Sequence, residues 1–191
     1  MDPIPFFERL VADAPPTLRS VALGGGDPVC AACGLRGGDR ADFRELGVAG
    51  SSGAVVCRLC ALGWTAAWEP ARVRLALIPE WDQGVLNALV IRWAVHKPPS
   101  ATGGSAVMAG HAVLASRLLE ALHRRAEATH REWPITASAD LLRQTLRALP
   151  VNARAPVLAE LAGLRYLPEP GDRGWMDFFH RRRLRGLTGS P

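Results

Sequence analysis

Two Cys-x-x-Cys motifs constrain the fold of this chain more than any other feature. The first pair is Cys30 and Cys33, and the second pair is Cys57 and Cys60; the chain has no other cysteine. Two intervening residues allow one tight turn to present both sulfur atoms to the same metal ion, and Zn²⁺ takes four thiolates in a tetrahedron. The spacing therefore predicts one structural zinc ion bound by all four cysteines.

A zinc ion saturated by four thiolates has no open position for water, so the predicted site is structural and not catalytic. Two alternatives are free buried thiols and two separate redox pairs of the thioredoxin type. No βαβ pattern surrounds either pair, which argues against the redox alternative. Structural zinc contributes about 10–16 kcal/mol of apparent binding free energy in zinc-finger peptides. Loss of one ligand is therefore expected to unfold the local unit.

The residues that flank the two pairs predict different local structures. Gly34 directly follows the first pair and supplies the positive φ of a knuckle turn. The second pair follows a strand-like segment at 54–56 and opens a helical segment at 57–68. A knuckle, a hairpin and a helix that carries the second pair form a treble clef, the unit shared by HNH nucleases. We predict an α+β fold, with a zinc-binding treble-clef-like unit at 1–97, a linker at 98–104 and a helical region at 105–191.

Hydrophobic periodicity beyond the second pair predicts a strand and then a series of helices. The strand covers residues 73–79, and the helices cover about 82–96, 105–130, 139–148 and 155–164, followed by an amphipathic tail at 174–186. In the first of these helices the apolar stripe, which is expected to lie in the core, consists of Val85, Leu86, Leu89, Val90 and Trp93. In the second, Leu114, Leu118 and Leu122 are expected to be buried.

The sequence offers no catalytic set. An HNH-type nuclease needs a histidine general base between its two ligand pairs, and the segment from Cys33 to Cys57 contains none. All five histidines follow the second pair and share no metal-ligand spacing. The Gly24–Gly26 run lacks the Lys of a phosphate-binding loop. We therefore expect a protein that is not an enzyme, with a divergent nuclease as the weakest alternative.

The one basic cluster lies in the tail, at Arg181, Arg182, Arg183 and Arg185. The formal net charge is +5, and Lys97 is the only lysine, so the arginine excess reflects either compositional drift or contacts with phosphate and carboxylate groups. The tail arginines favour a helix C-terminus electrostatically. They are also candidates for docking a partner or anionic lipid. A zinc-containing nucleic-acid-binding regulator remains an alternative.

The hydrophobic pattern contains neither a secretory signal nor a membrane span. The first ten residues lack a basic region followed by an apolar run. The most apolar segment, at 85–95, is shorter than the roughly 20 residues that cross a bilayer and is interrupted by Asn87 and Arg92. We expect a cytoplasmic protein whose cysteines bind metal in a reducing compartment.

The order of these features resembles the DotN (IcmJ) family of type IVB secretion systems. The similarity lies in the two cysteine pairs and in the segment Leu77–Leu89, where the family pattern falls on the following residues: Ile78, Pro79, Glu80, Gln83, Leu86, Asn87 and Leu89. Leu167-Pro168, leading into a basic, tryptophan-containing final segment, is a further similarity. The Gly/Ser-rich hairpin at 47–53 is shorter than the family pattern.

The resemblance implies an HNH-type treble clef without nuclease residues, extended by helices. It also implies a non-enzymatic adaptor or scaffold subunit of the coupling-protein complex, which recruits substrates to the inner-membrane channel. The implied partners are the C-terminal extension of the coupling ATPase and other subunits of that complex, and not nucleic acid. Through these partners the protein would lie at the cytoplasmic face of the inner membrane.

Overall fold

The computed structural model describes residues 17–21, 26–37, 39–47, 53–65, 73–96, 106–169, 175 and 177–180. These residues form a mixed α+β fold, as the sequence predicts. Its elements are β1 (Thr17–Ser20), β2 (Phe43–Gly47), β3 (Ala54–Cys57), α1 (Arg58–Thr65), β4 (Val73–Leu77), α2 (Gln83–His96), α3 (Ala106–Glu132), α4 (Ala139–Ala148), α5 (Val151–Glu160) and β5 (Leu164–Pro168). Short 3-10 turns occur at Arg40–Asp42 and Pro134–Ala137.

The first three strands form an antiparallel sheet in the order β1-β2-β3. The register places Phe43 opposite Cys57, and both side chains are fully buried. Because α1 begins at the residue after Cys57, the end of this sheet leads directly into the helix that carries Cys60. The hairpin therefore brings the second cysteine pair to the inner side of the sheet.

The second sheet pairs β4 with β5 in antiparallel register, from Val73 opposite Pro168 to Leu77 opposite Leu164. Its two faces contact different hydrophobic clusters. Leu75 and Tyr166 belong to the main core, whereas Ala76 and Leu167 pack in a second cluster with Leu122 of α3. The sheet thus forms a layer between the cysteine-containing core and α3. It also pairs residues from both sides of the predicted linker at 98–104. The linker itself lies outside the described residues.

The sequence pattern does not predict the strand β5, nor does it predict β1. The sequence predicts a helix at about 155–164, but α5 covers Val151–Glu160 and includes Pro156 in its interior. The next element, at Leu164–Pro168, is extended. Its sequence, Leu-Arg-Tyr-Leu-Pro, does not alternate strictly between apolar and polar residues. The hydrogen-bonding partner of this strand lies about 90 positions earlier in the chain. Tertiary pairing with β4 therefore determines its conformation.

The expected burial of two apolar stripes is partly wrong. Leu122 is buried and Leu118 packs against the second cluster, but Leu114 is 67% exposed. The helix α3 has 27 residues and is about 40 Å long, far longer than the five-residue strands on which its C-terminal half packs. Val85 of α2 is also exposed, because the buried face of that helix is centred on Leu86 and Val90.

The start of the tail packs as expected. Trp175 and Phe178 are buried in the main core, with ring centroids 6.2 Å apart, and Phe179 packs against it. The basic cluster from Arg181 to Arg185 lies outside the described residues. In the portion of the chain that the structure describes, none of the helices combines the length and the apolar character that a bilayer span requires.

Candidate metal centre

The first cysteine pair lies in a tight knuckle. The Cys30 amide donates to the Leu35 carbonyl (2.8 Å), the Gly34 amide donates to the Cys30 carbonyl (2.9 Å), and Val29 pairs with Arg36 across the turn. Gly34 has a φ of 73°, as the sequence predicts. Because this conformation is unfavourable for residues that carry a Cβ, glycine allows the turn to close immediately after Cys33.

The second pair lies where a strand becomes a helix. Cys57 is the last residue of β3, and Cys60 is in the first turn of α1. The Ala31 amide of the knuckle donates to the Val55 carbonyl of β3 at 2.9 Å, which holds the knuckle against the strand. This contact brings together two cysteine pairs that are far apart in the sequence.

All four sulfur atoms lie within 4.8 Å of one another. The Sγ atoms of Cys33 and Cys57 are 3.7 Å apart, and all four cysteines are free of disulfide bonds. In a tetrahedral Zn(Cys)₄ site with bonds of about 2.3 Å, sulfur atoms are about 3.8 Å apart. Cys30, Cys57 and Cys60 are buried, and Cys33 is partly exposed. The cluster therefore has the donor type, number and spacing to hold one metal ion.

The thiols of the cluster strongly perturb one another. Hydrogen bonds from Cys33, Cys57 and Cys60 lower the pKa of Cys30, whereas hydrogen bonding to Cys30 and Cys33, together with burial, raises the pKa of Cys60. Without a cation, the first thiolate to form disfavours ionisation of its neighbours. A divalent cation among the sulfurs removes this conflict, because each thiolate is then attracted to the ion.

A buried polar network contacts the cluster from the side of α2. The Asn87 Nδ2 atom lies 3.2 Å from the Cys60 sulfur and 3.2 Å from the Tyr166 hydroxyl, which itself donates to the Cys60 carbonyl. Gln83 donates to Asn87 Oδ1 at 3.0 Å and exchanges two hydrogen bonds with the backbone of Tyr166. The network thus connects the cysteine cluster with β5.

Two glycines permit the close approaches that surround the cluster. A Cβ on Gly84 of α2 would lie 2.4 Å from the Ala32 carbonyl oxygen of the knuckle. A Cβ on Gly63 of α1 would lie 2.5 Å from the ring of Tyr166. Since no real Cβ tolerates such distances, the knuckle packs on α2, and β5 packs on α1, only where the chain has glycine.

The sequence predicts that the four cysteines form one site, but it does not predict which other residues surround that site. The signal for Asn87 is a polar residue within the apolar stripe of α2, four positions after Gln83 on the same helical face. No comparable signal identifies Tyr166, because the strand that carries it forms by pairing with the distant β4. Among the described residues, the four cysteines form the one group of three or more metal-ligating side chains that can share an ion.

Comparison with protein-family models finds no match for this chain, and comparison with curated proteins finds none either.

Proposed function

We propose that the four cysteines bind one structural zinc ion and that the protein is a non-enzymatic, zinc-stabilised adaptor. The observation that carries the zinc assignment is the convergence of four sulfur atoms within 4.8 Å, three of them on buried residues. Thiolate ligands select soft or borderline metals, and four of them in a closed site are typical of structural zinc. The sulfur spacing supports this assignment because it agrees with a tetrahedron around an ion of that size.

The arrangement of elements supports a treble clef as the fold of this unit. A knuckle with Cys30 and Cys33 is followed by the β2–β3 hairpin and then by α1, whose first turn carries Cys60. In a plain zinc ribbon both pairs lie on knuckles, and the helical position of the second pair distinguishes the two folds. The HNH-like character of the unit rests on this order of elements.

The adaptor role in a type IVB secretion coupling complex rests on the resemblance of the cysteine pairs and the 77–89 segment to the DotN family. Gln83 and Asn87, two residues of the resemblance, belong to the hydrogen-bond network beside the cysteines, so this part of the family pattern coincides with the surroundings of the proposed metal site. The proposed partners are the C-terminal extension of the coupling ATPase and its associated subunits. The proposed location is the cytoplasmic face of the inner membrane.

Elemental analysis of the purified chain tests the metal assignment. We expect about one zinc per chain, in keeping with a single closed tetrahedral site, and retention of that zinc through gel filtration without added metal. A protein that is folded and metal-free, or that carries iron in place of zinc, would contradict the assignment.

Affinity purification from the native host tests the adaptor role. A tagged chain is expected to retain a membrane-associated ATPase through washes at high salt, and a control strain that lacks the ATPase extension should lose the other subunits as well. Recovery of nucleic acid alone, with an affinity that falls steeply as salt rises, would reject the adaptor role in favour of a nucleic-acid-binding regulator.

A further inference from the structure

We propose that Asn87 is a positioning residue of the metal centre, whose side-chain amide donates a hydrogen bond to the Cys60 sulfur and slows release of the bound ion. This inference rests on the proposed zinc site and extends it. Asn87 is 1% exposed and Cys60 is 3% exposed, so water does not compete for the 3.2 Å contact between Nδ2 and Sγ.

The direction of this hydrogen bond follows from the neighbouring residues. Gln83 accepts a hydrogen bond from the Tyr166 amide and donates one to the Tyr166 carbonyl, so the backbone of β5 fixes which end of the Gln83 side chain is the donor. The same Nε2 atom of Gln83 donates to Asn87, which must therefore present its oxygen there. The Asn87 NH₂ group is consequently directed at the sulfur and at the Tyr166 hydroxyl.

This arrangement gives every polar atom of the Asn87 side chain a partner. One N–H donates to Cys60, the other N–H donates to Tyr166, and the oxygen accepts from Gln83. A fully connected network of this kind is rigid, because a change in any member leaves a buried donor or acceptor unsatisfied. It holds Cys60 in one orientation relative to the other three sulfur atoms.

Release of the ion requires the Cys60 sulfur to move away from it, and this movement breaks the buried hydrogen bond from Asn87. Because the freed donor has no water to bond, release is slower while the hydrogen bond is present. Outer-shell partners of metal ligands typically alter metal affinity by about 10- to 100-fold when they are removed. We expect removal of the Asn87 side chain to have an effect of this size, although Asn87 itself does not contact the ion.

The test compares zinc transfer from the full chain to a chromogenic chelator in wild type, Asn87→Leu and Asn87→Asp, below the melting temperature of each. Both variants remove the donor that faces the sulfur, and we expect transfer to accelerate about 10-fold or more. The matched control is Thr129→Val, which removes another buried polar side chain, one that bonds the Leu77 amide and the Arg125 carbonyl. Its transfer rate should remain that of wild type although its stability falls.

Equal transfer rates in the Asn87 variants, the control and wild type would overturn the proposal, whereas a wild-type chain that carries no zinc would reject the site itself. If the Asn87 variants do not fold, the cadmium-loaded wild type decides the question by ¹¹³Cd–¹H correlation. A cross-peak from the Asn87 side-chain protons supports the hydrogen bond. If the cysteine Cβ protons give cross-peaks to the cadmium and the Asn87 side-chain protons do not, the hydrogen bond is refuted.

Discussion

His123 of α3 shows how the environment of one side chain sets its charge. Burial lowers the pKa of His123 below the ordinary value of about 6.5, and the nearby positive charge of Arg74 lowers it further, against the opposing effect of Glu169 and Glu127. Its Nδ1 atom is buried and has no hydrogen-bond partner among the described residues. The folded state therefore favours the neutral imidazole.

The replacement of His123 by Gln should change how stability depends on pH. Because the pKa is lower in the folded state, the unfolded chain binds more protons below about pH 6.5, so His123 costs stability as the pH falls. We expect urea midpoints at pH 5.5 and 7.5 to lie closer together in His123→Gln than in wild type. The control is His130→Gln, an exposed position on the same helix. An identical pH dependence in wild type and His123→Gln would contradict this account.

At the scale of elements, α2 and the cysteine knuckle approach each other closely at Gly84. The first turn of α2 is capped by Asp82, whose carboxylate accepts from the Val85 amide at 2.8 Å, and Gly84 faces the Ala32 carbonyl. The helix N-terminus, with its partial positive charge, thus meets the knuckle that presents Cys30 and Cys33. This helix also carries Asn87, so it contacts both cysteine pairs.

The substitution Gly84→Ala separates helix propensity from packing. Alanine is the better helix former by up to about 1 kcal/mol, so a purely local effect would be stabilising or neutral. Because the added Cβ meets backbone that cannot move without displacing the knuckle, we expect a loss of roughly 1–3 kcal/mol and weaker metal retention. Val85→Ala, at the next and exposed position, should change stability by less than about 0.5 kcal/mol. Urea denaturation and zinc retention measure both effects, and a Gly84→Ala chain as stable as wild type would reject the close approach.

At the scale of the whole molecule, the clustered cysteines belong to the same hydrophobic core as the late helices. This core includes Cys30, Cys57 and Cys60 together with residues from later elements, among them Leu142, Leu146, Tyr166 and Phe178. The β4–β5 sheet joins distant parts of the chain in this core, because β5 follows α3, α4 and α5 in the sequence and pairs with β4. Metal binding is therefore expected to stabilise distant residues and not the cysteine unit alone.

The substitution Cys57→Ser tests this coupling. Losing one of four ligands should release the ion and remove a stabilising contribution comparable with the roughly 5–15 kcal/mol that a typical domain has in total. We expect protease sensitivity, and faster hydrogen exchange in α4 as well as in residues 30–60. Leu114→Ser, at an exposed position, is the control. Wild-type exchange protection in α4 of Cys57→Ser would show that the metal stabilises only its local unit.

The sequence by itself determined which four cysteines form the candidate metal site and which elements lie next to them. The Cys-x-x-Cys spacing, Gly34 and the strand-to-helix change at Cys57 are local features, and hydrogen bonds within a few residues produce the knuckle and the start of α1. The strand β4 and the helices α3 and α4 also have local periodicity, and α2 is an apolar segment of helical length, so the positions of all four agree with the prediction to within a few residues.

Only the tertiary structure decided the conformation of residues 164–168 and the environment of the cysteine sulfurs. The strand β5 forms because β4, distant in sequence, supplies its hydrogen-bonding partners. Tyr166 then reaches Asn87 and Cys60 across 79 and 106 positions of the chain. Such contacts depend on how whole elements pack, and no local pattern encodes them. The exposure of Leu114 has the same origin, since it depends on the length of the sheet beneath α3 and not on the helix itself.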